Sequence, residues 1–184
     1  GKDETIMKIE IMEYNPDWTK NFEEEKIKLL RFFGSHAVAI EHIGSTAIPN
    51  QRAKPVIDIF IGVSPFAELT FYQRIFNAKE YHHTPTDMTS RYLFAKYTNE
   101  VWTHNLHVLP YNDGFYLRNE FLLRDYLREH PKLADEYGEV KERAAMENGS
   151  TMEAYTRAKT EFIQKVIDAA RKEKGLPLQS VWES

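Results

Sequence analysis

The chain has 184 residues, 42% of them hydrophobic and 28% charged, with a formal net charge of −4. That is the composition of an ordinary globular domain with room for a core, and its acidic balance excludes a general attraction to nucleic acid or anionic membrane. The absence of cysteine excludes disulfides and thiolate metal sites, and no apolar run nears the roughly 20 residues of a bilayer span. A cytoplasmic protein is the expectation. Residues 1–6, ahead of Met7, read as a tag remnant or a disordered start.

Taken in order, the chain offers a short strand candidate at Ile9 to Met12, then Asn15-Pro16, a cap followed by proline at the first helical position. Trp18, Phe22, Leu29 and Phe33 recur at helical spacing, which predicts an amphipathic helix over 16–33 stopped by Gly34, with Glu23-Glu24-Glu25 on its wet face. A strand from Ala37 to Ile43, a Gly44-Ser45 turn and a second strand from Pro55 to Val63 follow. In the second strand Ile57, Ile59, Ile61 and Val63 share one face and Asp58, Phe60 and Gly62 the other, so Asp58 points away from the aliphatic core.

Ser64-Pro65 repeats the cap-plus-proline signal and predicts a helix to about Ala78, buried through Phe66, Leu69 and Phe76. Glu80 to Thr84 is a candidate edge strand. Ser90 to Thr98 and Val101 to Leu109 read as a hairpin. From there the chain is helical: Phe115 to Glu129, Lys132 to Glu147, and Thr151 to Lys174. The expected architecture is α+β, a mixed β-sheet with flanking helices and a helical C-terminal third, in a single domain whose α/β core spans 7–110 and whose helical part spans 115–174.

Six motifs in order resemble the GrpB (glutamate-rich protein B) family of the nucleotidyltransferase-like superfamily. They are Tyr14-x-x-x-Trp18, His42-Ile43-Gly44-Ser45-Thr46, Lys54-Pro55-x-x-Asp58, His104-Asn105-Leu106-His107-Val108, Arg124-Asp125-x-Leu127-Arg128 and Tyr155-x-x-x-Lys159-x-x-Phe162. The resemblance implies a nucleotidyltransferase-like sheet in which the Gly-Ser turn holds nucleotide phosphates and carboxylates of Asp-x-Asp type hold divalent metal. Here the second carboxylate position is Phe60, which cannot ligate a metal, so the pair that clamps two ions is half missing.

The candidate site is accordingly Asp58 with His107, from the opposite face to Trp102, His104, Leu106 and Val108. Asp58 and His107 are read as ligands of one divalent ion (magnesium, manganese or zinc, the imidazole favouring zinc, manganese or nickel over magnesium), as a general base with its orienting carboxylate, or as a polar pair sealing a sheet edge. His42, beside the turn, is a third metal candidate or a histidine that fixes the turn. His104 is expected to be structural. Gly44, Ser45, Thr46, Lys54, Arg124, Arg128 and Lys159 are candidate phosphate contacts, each with an ordinary role beside it: capping, solvation, surface ion pairing or snorkelling. Arg91 and Arg118 are further cations. The expected partner is a nucleotide or phosphate-bearing small molecule, with RNA or tRNA as a second class and no membrane. Three functions stand together: nucleotidyl or phosphoryl transfer, nucleotide binding without chemistry, and RNA binding.

Overall fold

A computed structural model describes residues 9–181. The described residues form two compact units: Pro16–Ala47 with Val56–Arg118, and Ile48–Pro55 with residues 9–15 and 119–181. The first is the sheet unit, the second the helical unit.

In the sheet unit, α1 spans Asp17–Phe33, β1 Ala37–Ile43, β2 Ile57–Val63, α2 Leu69–Ile75, β3 Tyr81–Thr84, β4 Tyr92–Thr98 and β5 Val101–Pro110. The strands form one five-stranded sheet in the order β1-β2-β5-β4-β3. All neighbours are antiparallel except β2 and β5, which run parallel. Asn99 and Glu100, at φ 51° and 67°, make the tight turn of the β4–β5 hairpin. Edge strand β3 and the hairpin lie where the sequence places them.

The predicted core face is the observed one. Ile57, Ile59 and Ile61 pair with His104, Leu106 and Val108, and Ile59, Ile61, Leu106 and Val108 are fully buried. Helices α1 and α2 cover this face: the ring of Phe22 stacks on His42 at 4.8 Å, Phe33 meets Phe76 at 5.5 Å, and Phe76 meets Phe94 at 4.5 Å.

Three expectations are corrected here. Glu25 is not on the wet face of α1 but 2% exposed, between Phe22 and Leu29 on the buried stripe. Its carboxylate accepts from Lys96 Nζ at 2.6 Å and from Tyr81 Oη at 2.5 Å, partners on β4 and β3 that helical periodicity does not reveal. The helix expected from Ser64-Pro65 starts only at Leu69, because Glu68 keeps an extended backbone. The strand candidate at Ile9 to Met12 reduces to one bridge between Met12 and Ala53.

In the helical unit, α3 spans Asn119–Glu129, α4 Pro131–Asn148 and α5 Met152–Glu173. The segment Phe115–Leu117, expected to be continuous with α3, is a separate 3₁₀ turn in the sheet unit. Proline opens α4, and the Thr151 hydroxyl caps α5 by accepting from the Ala154 N–H at 3.0 Å. Ile48, Leu127, Ala134, Tyr137 and Val166 form the core, with Tyr137 stacked on Phe162 at 5.3 Å. The segment Ile48–Pro55 is tied to α4: Gln51 donates to the Ala134 carbonyl, and Arg52 binds Glu142 at 2.8 Å and Asp135 at 3.3 Å. Residues 1–6 lie outside the described residues.

Candidate functional site

Strand β2 presents Asp58 on the sheet face turned away from α1 and α2. In register, Asp58 lies between Ile43 of β1 and Asn105 of β5, and the next row is Glu41, Phe60, His107 and Leu93. Asp58 and His107 therefore share a face, as strand parity requires. The residue directly beside Asp58, however, is Asn105, and His107 stands beside Phe60.

The turn after β1 is built around the same carboxylate. Gly44 sits at φ +77°, and a Cβ there would lie 2.6 Å from Asp58 Oδ2. Glycine meets both demands: it adopts the left-handed backbone and leaves the carboxylate its place. Ser45–Ala47 then form one 3₁₀ turn in which Ser45 is half-buried and Thr46 is buried.

Thr46 and His42 belong to each other. The Thr46 hydroxyl lies 2.9 Å from His42 Nε2, and the imidazole is 7% exposed under the Phe22 ring. His42 pairs with Ile59 on the helix-covered face, opposite to Asp58. The geometry supports the turn-fixing role weighed above and does not bring His42 into a ligand set with Asp58.

His107 packs 5.3 Å from the Phe60 ring, and its Nδ1 is 3.4 Å from Arg91 Nη1. The Arg91 guanidinium, 5% exposed, also lies 5.1 Å over the Phe60 ring. A guanidinium only donates, so Nδ1 accepts and Nε2 carries the proton. Burial, reinforced by the Arg91 charge, lowers the His107 pKa to about 3. An imidazole so held is neutral, a weak base, and has one nitrogen already engaged. His104 is 8% exposed on the core face, its Nδ1 2.8 Å from the Thr103 hydroxyl, and burial lowers its pKa to about 4. It lies on the face that strand parity assigns to it, apart from Asp58.

Glu41, which strand parity makes a weaker candidate for the missing carboxylate, stands beside Phe60, and Asn105, which carries little sequence signal, stands beside Asp58. Glu41 sits next to Phe60, so the row that lost its carboxylate on β2 has one on β1, where it accepts from the Tyr116 hydroxyl at 2.8 Å. Asn105 accepts from Trp102 Nε1 at 3.1 Å. Strand parity placed Asn105 with His107, but only the pairing register shows that it faces Asp58. Farther along β2, the Phe115 ring covers Gly62 so closely that a Cβ would stand 2.7 Å from it. The face thus runs from carboxylate to aromatic within one strand.

The expected phosphate contacts divide between the units. Gly44, Ser45 and Thr46 belong to the sheet unit with Asp58 and His107, whereas Lys54, Arg124, Arg128 and Lys159 belong to the helical unit. Arg124 Nε binds Asp125 at 2.8 Å, and Arg128 reaches the same carboxylate at 4.0 Å. Arg128 also lines a recess of about 270 Å³ with Asp125, Glu129, Glu173 and Lys174, a mixed-charge setting that suits ion pairing. Lys159 lies 4.8 Å over the Tyr155 ring. Among the described residues no group of three or more His, Asp or Glu side chains is arranged to hold a metal ion, and no helix is long and apolar enough to cross a membrane.

Comparison with known proteins supplies the family. Residues 8–169 match the family model described as GrpB protein. The chain is 36% identical over 168 residues to the UPF0157 protein YqkA of Bacillus subtilis, covering 90% of this chain and 48% of YqkA, so it spans about half of that relative. It is 30% identical over 163 residues to the glutamate-rich protein GrpB of Alkalihalophilus pseudofirmus, covering 86% of this chain and 93% of that protein. A crystal structure of the conserved protein GrpB from Enterococcus faecalis superposes with a TM-score of 0.81 at 29% identity, covering 90% of this chain and 99% of that one. With a mixed five-stranded sheet, a helical C-terminal part and a family match over most of its length, the chain belongs to the GrpB family.

Proposed function

We propose that the protein binds a nucleotide or other phosphate ester on the Asp58 face of its sheet, at the Gly44-Ser45 turn, as a divergent nucleotidyltransferase-like protein. The observation that carries this reading is the seating of the Asp58 carboxylate against Gly44, which puts an anionic ligand for a divalent ion and a half-buried serine hydroxyl at one turn. Magnesium is commonly held by one or two carboxylates, with substrate phosphates and water completing its shell. A single ion of this kind fits Asp58.

Strand β2 alone does not supply a two-ion clamp. Such a clamp needs carboxylates that bridge ions roughly 3.5–4 Å apart. Here Phe60 stands at the second position and the residue beside Asp58 is Asn105. Binding is therefore favoured over two-metal transfer, and the buried Phe60 with Arg91 above it is the specific reason.

The test is a thermal-shift screen against nucleoside mono-, di- and triphosphates with magnesium, manganese, zinc or chelator. At 100 times its dissociation constant a ligand adds about 2.7 kcal/mol, a midpoint rise of roughly 5–10 °C for a chain of this size. The expected result is a metal-enhanced rise that Asp58→Asn loses while remaining folded. A rise unchanged in Asp58→Asn, or none with any nucleotide, contradicts the proposal, and a salt-sensitive response to RNA alone would replace it with the RNA reading.

A further inference from the structure

In the helical unit, Lys141 is 1% exposed and its Nζ has no hydrogen-bond partner among the described residues. The nitrogen lies 4.5 Å from the centre of the Tyr137 ring, one turn earlier on α4. Lys159, Lys54 and Arg52 are near enough for their positive charges to act on it. Burial first, and then those three cations, hold its pKa well below the ordinary lysine range.

A buried lysine normally reaches water with its tip or meets a carboxylate, since an unpaired buried charge costs several kcal/mol. Lys141 does neither. Nor is its surrounding an accident of a loose surface. Arg52 is fixed by Glu142 and Asp135, and its guanidinium lies so close to Gly138 that a Cβ there would be 2.6 Å from Nε. Helix α4 thus keeps a glycine where a cation packs, one turn before the buried amine of Lys141. The arrangement sets Lys54, Lys159 and the carboxylate-paired Arg52 around a buried donor that makes no hydrogen bond among the described residues.

We propose that Lys141, together with Lys54 and Lys159, forms an anion site on the helical unit that takes a phosphate-type oxyanion. Lysines bind phosphate as point charges, and a multivalent oxyanion supplies the acceptor that the buried Lys141 Nζ lacks. The site differs from the one at Asp58 in its residues and needs no metal.

The experiment measures the thermal midpoint of the full chain with inorganic phosphate, pyrophosphate or tripolyphosphate in excess chelator, against sodium chloride of equal ionic strength. A rise of roughly 5–10 °C at saturation is expected, largest for the polyphosphates. Lys141→Met, which keeps the aliphatic stem and suits the apolar surround, is expected to weaken binding at least tenfold. Lys159→Met should weaken it as well, while Lys132→Met, at an exposed position of α4, leaves it unchanged. Asp58→Asn retains this chelator-insensitive response, which separates it from the nucleotide site. An undiminished response in Lys141→Met, loss of the response in Asp58→Asn, or no response to any of the three anions overturns the proposal.

Discussion

The Asp58 carboxylate rests against the backbone of Gly44, with Oδ2 where a side chain at residue 44 would begin. The turn and the carboxylate are therefore one construction, and a change in either is felt by the other. The functional proposal depends on this relationship.

Gly44→Ala tests it. The substitution forces alanine to φ +77° and drives its methyl group into Asp58. A left-handed backbone alone costs about 1–2 kcal/mol, and the collision adds to it. In an Asp58→Ala background only the backbone cost remains, so urea unfolding of the four variants should give a coupling of roughly 1 kcal/mol or more. Strict additivity would show that the two residues do not touch.

The buried Glu25–Lys96 pair predicts an asymmetric response. Lys96→Met strands a carboxylate that is 2% exposed and should cost about 3–5 kcal/mol. Glu25→Leu with Lys96→Met removes both charges and should recover much of that loss, as read from denaturant midpoints. Equal destabilisation by the single and double variants would contradict the pairing.

His104 predicts a loss of stability on mild acidification. Its folded-state pKa, lowered by burial to about 4, lies below the ordinary 6.5, so between those values the unfolded chain binds more protons than the folded one. Its contribution is fully present above pH 6.5 and falls as pH drops toward 4. From pH 6.5 to 5 this is on the order of 2 kcal/mol. Because Nε2 of His104 is buried and makes no hydrogen bond among the described residues, His104→Leu should flatten the pH dependence of the urea midpoint without a large cost at pH 7. An unchanged slope would show that His104 is not held neutral.

Phe60 is predicted to be structural. It is fully buried, in contact with His107 and Arg91. Phe60→Ala should cost about 3–5 kcal/mol, whereas Phe60→Leu should cost much less, as measured by chemical denaturation.

Much of the fold was legible because its signals are local. The bounds of β1, the faces of β2 and β5, and the hairpin follow from alternation and turn chemistry over short stretches. Glu25 was misplaced because its burial depends on Lys96 and Tyr81, far along the chain, and a carboxylate among three carries no local mark of that. The site was legible by face but not by row. Strand parity puts His107 on the side of Asp58, yet only the β2–β5 register shows that Asn105 is the neighbour of Asp58, and only the β1–β2 register shows that Glu41 flanks Phe60. Lys141 left no sequence signal at all, because one lysine among the charged residues of α4 looks solvated until the helices pack around it.

The central claim is most directly tested by a crystal structure of the protein grown with the nucleotide, and its metal, that gives the largest thermal shift. The account predicts phosphate oxygens within hydrogen-bond reach of the Gly44-Ser45 turn, with the ion, where present, on Asp58. Phosphate bound on the helix-covered face of the sheet, or nucleotide bound at saturation with Gly44, Ser45 and Asp58 untouched, would contradict it.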